Sequence, residues 1–165
     1  MIRKATINDI NSIMKVKIEA VNVMKQDNND QWDDEYPSKE MFINDINSNE
    51  LYVYEIENEI AGVMCITTKE DDEYKPVNWS VTGKHFIVHR LAIADKFRKN
   101  GIAMKLLSYA ETLGKENDIL IIKLDTFSKN KRAQNLFVKM GYNYVSDIHF
   151  PRKKEPYHCY EKIIN

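Results

Sequence analysis

Residues 84–113 restrict the fold more than any other stretch of the chain. Lys84 to Ala94 (KHFIVHRLAIA) is apolar on both alternating faces except at its histidines and Arg90, the pattern of a strand covered on both sides. After a basic turn, Ile102, Ala103, Leu106, Leu107, Ala110 and Leu113 recur at helical spacing. Ile119 to Leu124 (ILIIKL) then reads as a second buried strand. A buried strand must have helices over its faces, so a mixed sheet flanked by helices is the economical architecture.

The rest of the chain supplies the other parts. Ile2 to Ala5 reads as a short strand, and Thr6-Ile7-Asn8-Asp9 resembles a capping box with Asp in place of Glu. Ile10, Ile13, Met14, Ile18, Val21 and Met24 mark the apolar face of the helix that follows. Ser38 is the expected N-cap of a second, short helix that turns Met41, Phe42 and Ile46 inward. Leu51 to Ile56 and Ile60 to Thr67 are two strands around Glu57-Asn58-Glu59. Lys69 to Lys75 (KEDDEYK) reads as an acidic, solvated loop. A fourth helix carries Ala133, Leu136, Phe137 and Met140 and stops at Gly141. Strands near Tyr142 to Ser146 and Tyr157 to Ile163 complete the order β-α-α-β-β-β-α-β-α-β-β.

Size and composition narrow the function. At 165 residues the expectation is one domain, 1–165, able to bury a core without disulfides or metal clips. With 43% apolar and 30% charged residues, disorder and fibrous sequence are excluded. Twenty-four basic against twenty-five acidic residues give no global field for nucleic acid or an anionic membrane, so any anion site must be local. Cys65 and Cys159 fit neither CxxC nor zinc-finger spacing and are expected as reduced, packed thiols; no metal is expected. No apolar run reaches membrane-span length, and the expected location is cytoplasmic.

The segment with chemistry in it is Leu91 to Leu107 (LAIADKFRKNGIAMKLL). At its turn stands Arg98-Lys99-Asn100-Gly101-Ile102-Ala103. A helix N-terminus carries unpaired N–H donors and the positive end of the peptide dipole, and small residues let a phosphate approach them. Gly101 and Ala103 provide that access, and Arg98 and Lys99 add cations. The P-loop pattern GxxxxGK[ST] and the GxGxxG pattern are both absent, so nucleotide hydrolysis and dinucleotide binding are unsupported.

The order of these parts resembles the GNAT superfamily of acyl-CoA-dependent N-acetyltransferases over nearly the whole chain. IRKATINDI looks like the family's opening strand and helix, RKNGIA like its Q/R-x-x-G-x-G/A loop, and NKRAQNLFVKMGY (130–142) like its N-x-x-A-x-x-x-Y-x-x-x-G-F/Y segment. The resemblance implies an α/β fold, an α+β mixed sheet of about seven strands and about four helices, with a splay between two parallel central strands. It implies acetyl-CoA as cosubstrate. Backbone groups of Leu91 and Ile93 would hold its pantetheine arm, with the amides around Arg98 to Ala103 holding the diphosphate. Asn130 would meet the arm from the other side, with Ala133 and Phe137 in the same segment. The amide of Leu91 or Ala92 would polarise the thioester oxygen.

Amine attack requires a neutral nitrogen, yet an alkylamine of pKa about 10.4 is neutral in only roughly one molecule in two thousand at pH 7. His89, two residues before Leu91, is the candidate general base; it resembles one of two strand histidines of arylalkylamine N-acetyltransferases, and the other position is Ile87. A satisfied core histidine is the competing reading. His85, His149 and His158 are expected to be surface or structural. Phe137 stands where the family often has a proton-donating tyrosine, and phenylalanine cannot donate. Tyr142 is expected to pack. Trp32 and Tyr36 would either receive the amine or anchor their loop, and Arg152-Lys153-Lys154 reads as a solvated run. The expected function is direct acetyl transfer from acetyl-CoA to a small primary amine. A non-catalytic acyl-CoA-binding sensor and a protein N-terminal or lysine acetyltransferase stay open, and a homodimer is suggested by analogy alone.

Overall fold

The computed structural model describes residues 1–165. In chain order the elements are β1 (Ile2–Lys4), α1 (Ile10–Gln26), α2 (Lys39–Asn47), β2 (Leu51–Ile56), β3 (Glu59–Thr67), β4 (His85–Ile93), α3 (Ile102–Glu116), β5 (Ile121–Phe127), α4 (Lys131–Lys139), β6 (Asn143–Ile148) and β7 (Tyr157–Ile163). Short 3-10 turns occupy Ile7–Asp9, Asp72–Tyr74 and Asp95–Phe97. The strands form one mixed sheet in the order β1-β2-β3-β4-β5-β7-β6, in which β4 and β5 are parallel. The alternation of elements read from the sequence is the one found. No helix is long and apolar enough to cross a membrane.

The chain packs as two compact units, each discontinuous in sequence. The first comprises Met1–Ile66 and Arg90–Tyr109. Here β1 pairs antiparallel with β2, and β2 with β3, around the Glu57-Asn58 reversal where both residues take positive φ. The entry to α1 is fixed by Asp9: its Oδ2 accepts the Thr6 N–H at 2.8 Å, and Arg3 donates to both of its oxygens. Ile13, Val16, Ala20 and Val21 then bury one face of α1 against Phe42, Val53 and Val63. Ile18 departs from the expected stripe and is 57% exposed. It follows Ile13 by five residues, which turns it about 140° away from the buried face. Ser38 caps α2 as expected, its Oγ accepting the Met41 N–H at 3.2 Å.

The second unit comprises Thr67–His89 and Ala110–Asn165. Its central strand, β5, pairs parallel with β4 from His85↔Ile121 to Val88↔Leu124, and antiparallel with β7 from Ile121↔Ile163 to Phe127↔Tyr157. Ile87, Phe127, Ile148, Tyr157 and Cys159 form its core together with Tyr74. Tyr74 corrects the sequence reading, because the loop expected to be solvated turns this ring fully inward through the 3-10 turn. β5 also starts later than expected, at Ile121, since Asp118 at φ +57 and the Ile119 N–H to Gly114 carbonyl bond are still closing α3.

That closure needs a glycine. A Cβ on Gly114 would stand 2.5 Å from the Ile119 carbonyl oxygen and 2.9 Å from Ile164 Cδ1. The first of these is backbone and cannot rotate away. Gly114→Ala is therefore expected to destabilise the fold by about 1–3 kcal/mol through overpacking, measured as a lower urea midpoint with an unchanged slope.

Candidate active site

The site begins with an irregularity in β4. Parallel pairing with β5 stops at Val88↔Leu124, yet β4 runs on to Ile93. Inside that stretch Arg90 has φ +52, a conformation that costs a non-glycine residue roughly 1–3 kcal/mol when imposed by its surroundings. Its side chain is held by Asp45 of α2, which accepts from Arg90 Nε at 2.6 Å and from Nη2 at 2.8 Å, with both side chains largely buried. Burial opposes the guanidinium's charge, but Asp45 outweighs it and holds Arg90 protonated. Past this kink Ala92 and Ala94 face the core of the first unit, while Ile93 reaches Gly62 on β3, where a Cβ would meet its Cδ1 at 2.8 Å. Leu91 and Ile93 are half-buried.

Oxygens of Asp45 and Glu50 and the Cys65 sulfur lie within 4.8 Å of one another. The cation this cluster surrounds is the Arg90 guanidinium, whose Nη2 is also 3.7 Å from Cys65 Sγ. Burial, with Asp45 adding, pushes the Cys65 thiol up to about 12, so it stays protonated. Cys65 is a packed thiol, as expected.

Further along, the basic turn presents backbone amides. Lys99 and Gly101 both take positive φ, at +66° and +71°, which brings the chain abruptly into α3. The first helical bond is Lys105 N–H to Gly101 carbonyl at 3.0 Å, so the amides of Gly101, Ile102, Ala103 and Met104 precede the helical ladder. A Cβ on Gly101 would meet nothing within 4 Å, so the approach is open. Lys99 and Asn100 are exposed, Arg98 and Ala103 half-buried, and the buried Ile102 pins the first turn. Arg98 lies 3.7 Å from Asp95.

In the second unit, the first residues beyond the last β4–β5 pair are His89 and Asp125. Register puts Ile87, His89, Lys123 and Asp125 on one face of the sheet. Over that face Tyr74 donates its hydroxyl to Asp125 Oδ1. Burial pushes the Asp125 carboxyl up to about 6; the Tyr74 bond opposes the shift, and Asp71 and Glu73 add to it. Burial and the neighbouring carboxylate hold the Tyr74 phenol well above its ordinary value, so it remains a donor. Lys123 is directed elsewhere, 3.4 Å from Glu70 and 4.4 Å from the centre of the Trp79 ring. The sequence reading missed both Tyr74 and Asp125. The available signal was a carboxylate in the otherwise apolar strand Leu124-Asp125-Thr126-Phe127.

Residues 19–142 match the model of the acetyltransferase (GNAT) family. The chain belongs to that family. It is 21% identical over 164 residues to an uncharacterized N-acetyltransferase, YesJ, of Bacillus subtilis (strain 168), covering 97% of this chain and 88% of the relative. A GNAT-family acetyltransferase from Streptococcus agalactiae 2603 superposes with a TM-score of 0.87 at 26% identity, over 100% of this chain and 95% of that one. A GNAT-family acetyltransferase from Listeria monocytogenes 4b F2365 gives 0.78 at 22% identity, over 99% and 94%, and speaks for the fold alone. The chain is thus an acyltransferase of the GNAT type, with the mixed sheet and parallel central pair of that fold.

The remaining expected residues divide between core and surface. Asn130 caps α4, its Oδ1 accepting the Ala133 N–H at 3.1 Å, and Ala133 is half-buried in that helix's first turn. Phe137 is buried, with Tyr160 edge-on at 5.6 Å and Tyr142 tilted at 6.1 Å. Tyr142 packs as expected and is also buried. Trp32 is buried in the first unit's core, whereas Tyr36 packs against that core and keeps part of its ring exposed. His85 pairs with Glu70 at 2.8 Å, His158 with Asp147 at 2.5 Å, and His149 is exposed, in keeping with surface or structural roles. Arg152 and Lys154 are exposed.

A carboxyl group raised from 3.8 to about 6 by the fold loses stability as it ionises. The folded state holds the proton more tightly, so the penalty is absent below about pH 4 and fully present above about pH 6. Asp125→Asn is therefore expected to raise stability at pH 7.5 by on the order of 1–2 kcal/mol, and to change it little at pH 4. Thermal melts of both proteins at the two pH values measure this.

Proposed function

We propose that the chain transfers the acetyl group of acetyl-CoA directly to the primary amine of a small molecule, in the cytoplasm, with residues 1–165 acting as one domain. The observation that carries the reading is the end of strand pairing at Val88↔Leu124, followed on the same strand by an open, amide-rich turn. Peptide groups of Leu91 and Ile93 that β5 does not take are available to an amide-bearing arm, which binds as an added strand would. The amides of Gly101 to Met104 bind the diphosphate, and Arg98 and Lys99 flank it. Asn130, Ala133 and Phe137 line the arm by their family positions, Asn130 through groups other than the Oδ1 that caps α4.

In the reaction the acceptor ammonium loses a proton to His89, directly or through water. The freed lone pair then forms the C–N bond at the thioester carbonyl, whose oxygen is held by the Leu91 or Ala92 amide. The C–S bond breaks, and the thiolate leaves with its electron pair. With phenylalanine at 137 the proton reaches the sulfur from water, or the thiolate departs unprotonated. The acceptor-side loop carries the half-buried Tyr36 and the buried Trp32.

Two substitutions separate binding from chemistry. Gly101→Ile places a branched side chain over the amides at a positive φ and is expected to weaken acetyl-CoA binding by roughly tenfold or more, read by calorimetric titration. His89→Ala is expected to lower kcat by about 10²–10⁴-fold near neutral pH, with partial recovery at high pH where more amine is already neutral. An unchanged pH–rate profile would remove His89 from the mechanism.

A further inference from the structure

We propose that Asp125, held by the Tyr74 hydroxyl at the fork of β4 and β5, receives the acceptor as an alkylammonium ion, which makes the enzyme selective for cationic amines over neutral ones. The inference rests on the acetyl-transfer reading for its setting, and on the geometry of the second unit for its content.

Asp125 is the first β5 residue past the last pair with β4, on the face it shares with His89. Tyr74 occupies Oδ1, and the residue is half-buried, which leaves Oδ2 for a second partner. The groups that shift its carboxyl include no cation. From the 67–84 loop come the neutral Tyr74 phenol and the carboxylates Asp71 and Glu73, and from β7 comes Cys159, whose thiol burial holds protonated. On β5 itself Lys123 turns to Glu70 and the Trp79 ring, and Phe127 is apolar. On β4 the group sharing the face is His89. A carboxylate sheltered from water gains most from a charged partner, and an ammonium donating to Oδ2 supplies one. Bound there, the nitrogen lies by register on the side of the fork that carries His89, to which its proton passes.

A purely structural Asp125 would be served equally well by asparagine, which still accepts from Tyr74. Ligand binding therefore distinguishes the two roles. The probes are n-butylamine and 1,4-diaminobutane, cationic at neutral pH, and aniline, neutral there, each titrated calorimetrically into the CoA-loaded protein. The expected result is that wild type prefers the two alkylamines to aniline, and that this binding weakens as the pH falls through about 6. Asp125→Asn is expected to lose roughly 10- to 100-fold in alkylamine affinity and the acid limb with it, while CoA affinity stays within about twofold. Tyr74→Phe, which frees Oδ1 but keeps the carboxylate, is expected to retain the preference for cations. Equal binding of aniline, alkylamine affinity unchanged in Asp125→Asn, or no alkylamine binding to wild type would each overturn the inference. Should the asparagine variant fail to fold, the aniline comparison and the wild-type pH dependence still decide it. Failure of the acetyl-transfer reading looks different: acetyl-CoA would not bind, or no thiol would be released, whatever the amines do.

Discussion

A salt bridge between α2 and a strand residue underlies the geometry of β4. A strand in regular conformation offers its peptide groups alternately to both neighbours, and nothing in KHFIVHRLAIA would stop it from doing so. Arg90 breaks the regularity by taking positive φ, and Asp45 makes that conformation affordable with two charge-assisted hydrogen bonds at 2.6 and 2.8 Å. The pair is buried beside the Cys65 thiol, where a lone charge of either sign would be costly. The strand therefore continues past its last partner on β5 with side chains re-aimed, which puts Ala92 and Ala94 into the core.

The same logic bears on the anion site we propose for a chain with a net charge of −1. Long-range attraction is absent, so binding must come from donors that are fixed beforehand. Lys99 and Gly101 at positive φ bring the chain into α3, whose first amides precede the helical ladder, and Ile102 in that first turn is buried. Preorganised amides need no reorientation when a diphosphate arrives, whereas flexible lysines would lose side-chain entropy.

What could be read from the sequence was what is local. The Thr6–Asp9 capping box ahead of α1, Ser38 capping α2, the apolar stripe of α3 and Gly141 at φ +85 after α4 are all encoded within a few residues. The turn at 98–103 was legible for the same reason. Two features of the site were not. Arg90 gives no turn signal, and the carboxylate that pairs with it lies 45 residues away in the sequence. Tyr74 sits in KEDDEYK, whose composition predicts a solvated loop, and only the partner 51 residues downstream reveals why its ring turns inward. Ile18 failed for a simpler reason, since an apolar residue at roughly helical spacing can still fall just outside the covered arc.

Asp125 shows how such a residue persists in a packed strand. Ionising a carboxyl whose pKa the fold has raised to about 6 costs stability at neutral pH, and the Tyr74 hydroxyl offsets the cost only in part, because a neutral donor brings no opposite charge. A side chain selected for packing alone would have been driven to something apolar here, between Leu124 and Phe127 and opposite Cys159. Arg90 contrasts with it in a useful way. Its charge is matched by Asp45 through two hydrogen bonds, from Nε and Nη2. Asp125 accepts from one neutral hydroxyl, and no cation is among the groups that shift its carboxyl. The two ionic positions, Arg90 on β4 and Asp125 on β5, thus differ in completeness of pairing: the complete pair accompanies the kink, and the incomplete one is where we place the acceptor.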